Sequence, residues 1–169
     1  MANFKEKIIS AEKAAQIRTS LSEAGSKLVF TTGCFDLLHP GHLFYLAEAK
    51  ALGDFLMVGL NSDDSIRRCK GPSRPVLGED DRALMLAALV MVDGVVIFGE
   101  DTPLRLIEKI KPDVLAKGGD WAVQDIVGGP ETLARGGEVK SLSYKEGLST
   151  TSIIERILKS SKSAFSEAK

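Results

Sequence analysis

One short segment constrains the fold more than any other: residues 31–42, which read TTGCFDLLHPGH. An apolar run, residues 28–30, precedes it, and an amphipathic run, residues 43–50, follows it. This order predicts a strand, a tight turn and a helix. The start of a helix presents unpaired N–H groups and a positive dipole potential, which favour an anion. Because the chain's two histidines, His39 and His42, stand at that helix start, we predict that the turn binds nucleotide phosphates.

The rest of the chain alternates short apolar runs with amphipathic ones, which predicts a parallel sheet with crossover helices. We expect an α/β fold: a three-layer, Rossmann-like parallel sheet of about five strands with helices on both faces. The predicted strands are residues 27–32, 55–60, 92–98, 113–116 and 138–142. The predicted helices are residues 10–25, 40–52, 79–89, 104–111, 122–127, 130–135 and 149–158. The expected division is an N-terminal helix packing on the sheet (1–26), a main domain (27–159) and a flexible tail (160–169).

Composition excludes several classes of protein. The chain has 169 residues, of which 44% are hydrophobic, enough for one compact domain. A net charge of −1 gives no long-range attraction to nucleic acid. The two cysteines show neither metal-ligand spacing nor a disulfide framework. Since we find no signal-peptide pattern and no membrane-spanning run, we expect a cytoplasmic protein without membrane association.

Polar residues after the second predicted strand extend the candidate site. Asn61 and Asp63 follow that strand directly, and ligands of open α/β sheets bind beyond the carboxyl ends of strands. Residues 65–78 are basic and rich in glycine and proline, which predicts a loop. Arg68 and Lys70 in this loop could reach a phosphate. Arg82, in the first turn of the next helix, could serve equally well as a ligand or in a surface ion pair.

Two later segments have both a structural and a functional interpretation. Lys117, Gly118 and Asp120 follow the fourth predicted strand, where a glycine pair could let the backbone approach a ribose or base. Trp121, beside them, is interpreted as a core anchor ahead of a stacking platform. Ser149 and Thr150 open the last helix, where hydroxyls could simply cap it or could provide a second phosphate site.

The motif at the first turn is specific enough to indicate a family. The glycine fingerprint of dinucleotide-binding folds and the phosphate loop of P-loop proteins are both missing from the sequence. Instead, residues 33–42 carry the complete pattern Gly-x-Phe-Asp-x-x-His-x-Gly-His. With this run the chain resembles the nucleotidyltransferase superfamily typified by glycerol-3-phosphate cytidylyltransferase.

Further segments make the chain most similar to the heptose 1-phosphate adenylyltransferase branch. They are TGCFD at 32–36, NSD at 61–63, KG and RP at 70–75, EDTP at 100–103, KGGD at 117–120, and STT at 149–151. Cytidylyltransferases typically carry an arginine where this chain has Tyr144, which counts against cytidylyl transfer to glycerol phosphate. Many relatives in this branch carry a preceding sugar kinase domain. Since no segment here could form one, we expect a stand-alone nucleotidyltransferase.

The resemblance implies a reaction between a nucleoside triphosphate, by preference ATP, and a sugar 1-phosphate, by preference D-glycero-D-manno-heptose 1-phosphate. Mg²⁺ would arrive with the nucleotide rather than in a dedicated protein site, and a homodimer is common in the superfamily. The alternatives are a cytidylyltransferase acting on an alcohol phosphate and a non-catalytic nucleotide-binding regulator. The catalytic residues are then predicted to be His39, His42 and Lys70. The predicted nucleotide-binding residues are Thr32, Gly33, Phe35, Gly41, Lys117, Gly118, Asp120, Ser149 and Thr150, and the predicted substrate-binding residues are Asn61, Asp63, Arg68 and Arg82.

Overall fold

A computed structural model describes residues 3–119, 121–142, 147 and 149–166 of the chain. Its centre is a sheet of five parallel strands in the order β3-β2-β1-β4-β5. Helices cover both faces, as the sequence predicted. The strands are β1 Leu28–Gly33, β2 Phe55–Asn61, β3 Gly94–Phe98, β4 Val114–Gly118 and β5 Glu138–Leu142. The helices are α1 Ala11–Glu23, α2 Pro40–Lys50, α3 Asp63–Lys70, α4 Glu79–Ala87, α5 Leu104–Ile110, α6 Gly129–Ala134 and α7 Thr150–Ser166.

The strand order reverses between β1 and β4. The chain first builds outward from β1 to β2 and β3, and then places β4 and β5 on the other side of β1. In open α/β sheets, the crevice at such a reversal, beyond the carboxyl ends of the strands, is the usual ligand site. The topology therefore points to the ends of β1 and β4.

The sheet separates two hydrophobic cores because alternate strand residues face opposite sides. Val29 and Leu56 belong to the core shared with α2 and α4, whereas Phe30 and Met57 belong to the core shared with α1 and α5. All four side chains are fully buried. Burial on both faces explains why these strands read as continuous apolar runs.

Helix α1 begins where its sequence predicted. Ser10 Oγ accepts a hydrogen bond from Lys13 N at 3.2 Å, which satisfies one of the free N–H groups of the first turn. Gly25, with φ of +68°, follows the helix end and allows the chain to turn back toward β1. Ala14 is fully buried in the core shared with α5.

The prediction of a loop over residues 65–78 was wrong for its first part. Residues Asp63–Lys70 form helix α3, capped by Ser62, whose Oγ accepts from Ser65 N at 3.2 Å. Acidic residues in its first turn and basic residues in its last turn complement the helix dipole. The Gly and Pro residues that favoured a loop come only after Lys70. At the other end of the chain, α7 continues to Ser166 instead of ending near residue 159.

No helix within the described part of the chain is long and apolar enough to cross a membrane.

Candidate active site

A cavity of about 270 Å³ opens at the ends of β1 and β4, where the strand order reverses. We call it the histidine cavity. It brings together most of the residues that the sequence singled out, although they come from four separate parts of the chain. Its lining is Thr32, Gly33, Cys34, Phe35, Asp36, His39, His42, Tyr45, Lys70, Arg74, Lys117, Gly118, Ser149, Thr150 and Thr151.

The two histidines form a stacked pair at the start of α2. Their ring centroids lie 3.8 Å apart with an interplanar angle of 24°. His39 is the residue before the helix and Pro40 occupies its first turn, which suits a helix start because proline has no N–H to leave unpaired. Phe35 packs against His42 with ring centroids 5.1 Å apart. The pair is thus held by its own stacking and by the Phe35 ring.

The turn before the pair depends on a glycine. Phe35 has a φ of +43°, a backbone conformation that residues other than glycine rarely adopt. Its ring then lies over Gly33, where an added Cβ would be only 2.9 Å from a ring carbon. Gly33 therefore lets Phe35 fold back onto the strand end, and this places the ring beside His42.

Burial keeps both histidines neutral near pH 7. It lowers the pKa of His39, and it lowers the pKa of His42 to about 4, with smaller contributions from His39 and Lys70. The Nδ1 atom of His42 is buried without a hydrogen-bond partner among the described residues. A nearby anion favours the protonated form of histidine. The pair can therefore donate hydrogen bonds to phosphate oxygens and gain charge as the anion binds.

Lys70 and Lys117 supply positive charge from two other directions. Lys70 ends α3, and Lys117 lies in β4. Burial lowers the pKa of Lys117; Lys70 lowers it further, whereas Cys34 opposes the shift. Within the part of the chain that the structure describes, neither lysine forms a salt bridge. These two ammonium groups are therefore available to a ligand.

The start of the last helix is capped and also lines the histidine cavity. Ser149 caps α7, because its Oγ accepts from Ser152 N at 3.0 Å and Ser152 Oγ accepts from Ser149 N at 3.2 Å. Thr150 Oγ1 donates to Leu37 O at 3.4 Å, which ties α7 to the turn after β1. Ser149 and Thr150 also line the histidine cavity. A second helix start thus faces the same space as the first.

Asp36, buried in the motif, anchors the loop that follows α3. Its Oδ2 accepts from Arg74 Nε at 2.6 Å, and its Oδ1 accepts from the backbone N–H groups of Val76 and Leu77 at 2.7 and 3.3 Å. These bonds fix a distant segment of the chain, so Asp36 is committed to structure.

Arg82 corrects a prediction. Its side chain is fully buried and lies outside the histidine cavity, so it cannot serve as the substrate ligand that the sequence suggested. Its guanidinium donates to Cys34 O at 2.7 Å, Asn61 O at 2.9 Å and Leu77 O at 3.0 Å, and it pairs with Asp63 Oδ1 at 2.7 Å. Arg82 therefore joins the ends of β1 and β2 to the loop before α4. No local pattern in the sequence indicates these partners.

Other predicted substrate ligands are also placed outside this cavity. Asp63 binds Arg82, and its backbone N–H donates to Glu79 at 2.6 Å. Asn61 donates to Ser65 Oγ at 3.0 Å. Arg68 is exposed and pairs with Asp101 at 2.5 Å, which raises its pKa. The physical reason is common to the three: nearby protein groups already take up their polar atoms.

Two predicted nucleotide-binding residues need separate mention. Gly41 is buried in the first turn of α2, behind the histidines that line the cavity. Asp120 lies outside the described residues, as does Tyr144. Conversely, Arg74, Tyr45 and Thr151 line the cavity although the sequence assigned them no site role. Tyr45 donates from its hydroxyl to Ala116 O at 3.3 Å, a link between α2 and β4.

Trp121 also departs from its prediction. It is 50% exposed and is not a core residue. Its indole Nε1 donates to Gly118 O at 3.1 Å, and its backbone N–H donates to Ser141 Oγ at 3.1 Å. The ring therefore stands at a fixed place beside the end of β4. It lines a second, smaller cavity next to the first.

The donor set of the histidine cavity does not fit a protein-held Mg²⁺. This ion prefers several oxygen ligands, usually carboxylates, phosphates and water. Asp36 is the one carboxylate among the lining residues, and both its oxygens are engaged. No group of three or more His, Cys, Asp or Glu side chains in the described ranges could hold a metal. The cavity instead suits an anion.

Comparison with solved structures supports this fold. A lipopolysaccharide core biosynthesis protein from Thermoplasma volcanium superposes with a TM-score of 0.59 at 31% identity, covering 72% of this chain and 98% of that one. Pantoate-β-alanine ligase from Francisella tularensis gives a TM-score of 0.56 at 14% identity, covering 82% of this chain and 67% of that one. The second likeness is one of fold alone.

Curated relatives match most of the chain. The bifunctional protein HldE of Shewanella amazonensis is 51% identical over 153 residues, or 90% of this chain and 31% of that protein. HldE of Pelobacter propionicus is 53% identical over 151 residues, or 89% of this chain and 29% of that protein. The chain thus spans about a third of the length of the curated relatives it matches.

A family model places the chain directly. The cytidylyltransferase-like model matches residues 30–156, which include the whole of the motif, both helix starts and both lysines. The match confirms the superfamily that the motif at residues 33–42 indicated. The chain belongs to the cytidylyltransferase-like family.

Proposed function

We propose that the protein transfers the nucleotidyl group of a nucleoside triphosphate, by preference ATP, to D-glycero-D-manno-heptose 1-phosphate. The products would be ADP-heptose and pyrophosphate. The ADP-heptose would feed lipopolysaccharide or surface-glycan synthesis. The observation that carries the proposal is the histidine cavity itself. Two helix starts, a stacked histidine pair and two lysines, neither of which forms a salt bridge with a described residue, face one space. The identity to HldE proteins and to the Thermoplasma lipopolysaccharide core biosynthesis protein supports the choice of sugar.

The reaction needs charge stabilisation more than it needs a base. An ionised oxygen of the sugar phosphate attacks the α-phosphorus; a new P–O bond forms, the bond to the β-phosphate oxygen breaks, and pyrophosphate leaves with the electron pair. The sugar phosphate is already a nucleophile at neutral pH. The barrier lies in bringing two polyanions together and in the charge that develops on the leaving group. Donors fixed in advance around that charge are the effective catalysts.

The residues of the cavity divide this task. We assign His39 and His42 to the α- and β-phosphates, where their protonation would follow anion binding. Ser149 and Thr150, at the start of α7, would hold the leaving pyrophosphate. Lys70 would bridge to the sugar phosphate. Thr32, Gly33, Phe35 and Gly118 would bring the backbone close to the nucleotide, with Lys117 beside them.

Mg²⁺ would enter bound to the triphosphate oxygens and would neutralise part of their charge. We place the reaction in the cytoplasm, where nucleoside triphosphates are made, and expect the protein to act as a homodimer. Sedimentation of the purified chain tests the dimer.

A pyrophosphate-release screen tests the proposal. Purified protein is incubated with ATP, GTP or CTP and with each anomer of heptose 1-phosphate, mannose 1-phosphate or glycerol 3-phosphate. We expect ATP with one heptose 1-phosphate anomer to give the highest kcat/KM. The variants His39→Ala and Lys70→Ala should lose this activity, whereas Arg67→Ala, a change on the exposed side of α3, should retain it.

The screen also separates the alternatives. Faster turnover of CTP with glycerol 3-phosphate would identify a cytidylyltransferase and overturn the substrate assignment. Nucleotide binding without pyrophosphate release for any acceptor would indicate a non-catalytic regulator.

A further inference from the structure

A second cavity, of about 160 Å³, adjoins the histidine cavity. We call it the tryptophan cavity. Its lining is mostly apolar, and besides the Trp121 indole its polar side chains are those of Lys117, Thr32 and Asp125. The lining is Thr32, Pro103, Leu115, Ala116, Lys117, Trp121, Asp125, Ile126 and Val127. None of the roles proposed above involves the Trp121 indole or the Asp125 carboxylate.

The two cavities lie on opposite faces of the sheet. The histidine cavity is lined by Phe35 and Tyr45, which belong to the core shared with α2. The tryptophan cavity is lined by Leu115 and Ile126, which belong to the core shared with α5. Thr32 and Lys117 line both cavities, so the ends of β1 and β4 form the boundary between them.

The geometry of in-line displacement relates the two cavities to the leaving group and the attacking group. The attacking oxygen and the leaving oxygen stand on opposite sides of the phosphorus. The leaving pyrophosphate belongs to the histidine cavity, where the two helix starts are. The attacking phosphate must then approach from the side of Thr32 and Lys117, and the group attached to it would extend beyond them. The tryptophan cavity begins at that point.

The lining suits a sugar ring better than a charged group. A pyranose has an apolar face of C–H bonds, which packs on an aromatic ring, and an edge of hydroxyls, which need polar partners. Trp121 is half exposed, and its position is fixed by two hydrogen bonds, so its face is available at no cost of ordering. Asp125 lines the cavity, is exposed and forms no salt bridge among the described residues, so its carboxylate can accept from hydroxyls.

We infer that the tryptophan cavity binds the sugar of the acceptor, with the ring packed on Trp121 and hydroxyls bound by Asp125. Lys117, which lines both cavities, would contact the attacking phosphate as well as the nucleotide, while Lys70 would reach that phosphate from the histidine cavity. The inference rests on the proposed function and deepens it. It makes Trp121 and Asp125 residues that determine acceptor specificity, and it separates acceptor recognition from nucleotide recognition.

The fluorescence of Trp121 gives a direct test, since it is the chain's one tryptophan. Heptose 1-phosphate is titrated into the wild-type protein, and in a parallel titration a non-hydrolysable ATP analogue is added. We expect the sugar phosphate to change the intensity or the wavelength of the emission in a saturable manner, and the ATP analogue to change it much less. A response to the ATP analogue alone would show that the cavity holds the nucleobase and would overturn the inference.

Kinetics of two variants provide the second test. Trp121→Ala should raise the KM for heptose 1-phosphate about tenfold or more, the equivalent of one aromatic contact, and leave the KM for ATP within about twofold. Asp125→Asn should raise the KM for heptose 1-phosphate more than that for mannose 1-phosphate, which has one hydroxyl-bearing carbon fewer. Asp101→Asn, another exposed carboxylate at the same edge of the sheet, is the matched control and should change neither.

The two tests distinguish failure of the inference from failure of the proposed function. If wild-type protein releases pyrophosphate but Trp121→Ala and Asp125→Asn retain the wild-type KM for the sugar, the reaction is right and the subsite is wrong. If no sugar phosphate supports pyrophosphate release in the wild type, the proposed function fails first. Equal increases in both KM values would also contradict a subsite for the sugar alone.

Discussion

The basic residues around the first turn divide into two groups with opposite environments. Lys70 and Lys117 face the histidine cavity and form no salt bridge among the described residues. Arg74 and Arg82 are held by protein groups: Arg74 by Asp36, and Arg82 by Asp63 and three carbonyls. The arginines, each with several donors in a rigid plane, fix the walls of the site, whereas the lysines keep their ammonium groups available to a bound anion.

This difference indicates that the role of a cationic side chain depends on how many of its donors are already bonded to protein groups. A buried guanidinium is costly unless its donors are satisfied, so the satisfied Arg82 has little left for a substrate. Burial disfavours the charged form of Lys117, so we expect a substrate phosphate placed beside this lysine to stabilise it.

The largest effect is expected at Arg82. Arg82→Met should lower the free energy of unfolding by about 3–5 kcal/mol, because Asp63 loses its buried partner and three carbonyls lose a donor. Urea denaturation measures the change. Arg67→Ala, which breaks an exposed pair with Asp64, should cost at most about 0.5 kcal/mol. Equal stability of Arg82→Met and wild type would show that Arg82 is not the anchor.

His39 should matter for turnover rather than stability. His39→Ala should lower kcat about 100- to 1,000-fold, the usual loss when one fixed donor to a developing negative charge is removed. Pyrophosphate release under saturating ATP and heptose 1-phosphate measures it. Unchanged turnover would remove the histidine pair from the proposed reaction.

Lys70 and Arg68 lie close together in α3, but Lys70 lines the histidine cavity whereas Arg68 is paired with Asp101 outside it. Lys70→Ala should lower kcat/KM about tenfold or more, because its ammonium faces the cavity. Arg68→Ala should change kcat/KM less than about twofold, since an exposed pair with Asp101 contributes little. Comparable losses in both variants would mean that general positive charge, and not placement, drives the reaction.

The smallest effect concerns pH. His42 has a pKa of about 4 in the folded protein, against 6.5 for its ordinary value. Between these values the unfolded chain binds more protons, so the stabilisation present above pH 6.5 is lost as the pH falls toward 4. The free energy of unfolding should drop by about 1 kcal/mol between pH 7 and 5 after allowance for solvent screening.

The variant His42→Asn isolates this effect, because asparagine does not titrate. Its unfolding free energy should fall less over the same pH range than that of the wild type. A variant that loses as much stability as the wild type would show that the dependence arises from other groups.

Local sequence patterns predicted several strands and helices at their observed positions. The range of β5 was predicted at both ends, and the strand, turn and helix of the motif were found where the sequence indicated. These features depend on neighbouring residues: apolar continuity, a glycine where a ring folds back, a proline at a helix start. Most of the predicted catalytic and nucleotide-binding residues line the histidine cavity, because parallel strands bring their carboxyl ends to one edge. Arg74, Tyr45 and Thr151 line it too, although the sequence assigned them no role.

The errors concern side chains whose partners are distant in the chain. Arg82 bonds residues up to 48 positions away, which no local pattern indicates. Trp121 was expected in the core because of its size, but its indole N–H found a carbonyl at the edge of the sheet. Helix α3 was missed because the Gly and Pro residues that follow it are typical of a loop. Its cap and its order of charges are the signals that indicate a helix.

The stacked histidines should also couple nucleotide binding to protons in solution. Two positive charges on rings whose centroids lie 3.8 Å apart would repel each other, so we expect the pair to take up one proton as a polyanion binds. Nucleotide binding should therefore draw protons from the buffer, and departure of pyrophosphate should return them. The heat of binding would then vary with the ionisation enthalpy of the buffer, and nucleotide affinity would weaken as the solution becomes more alkaline.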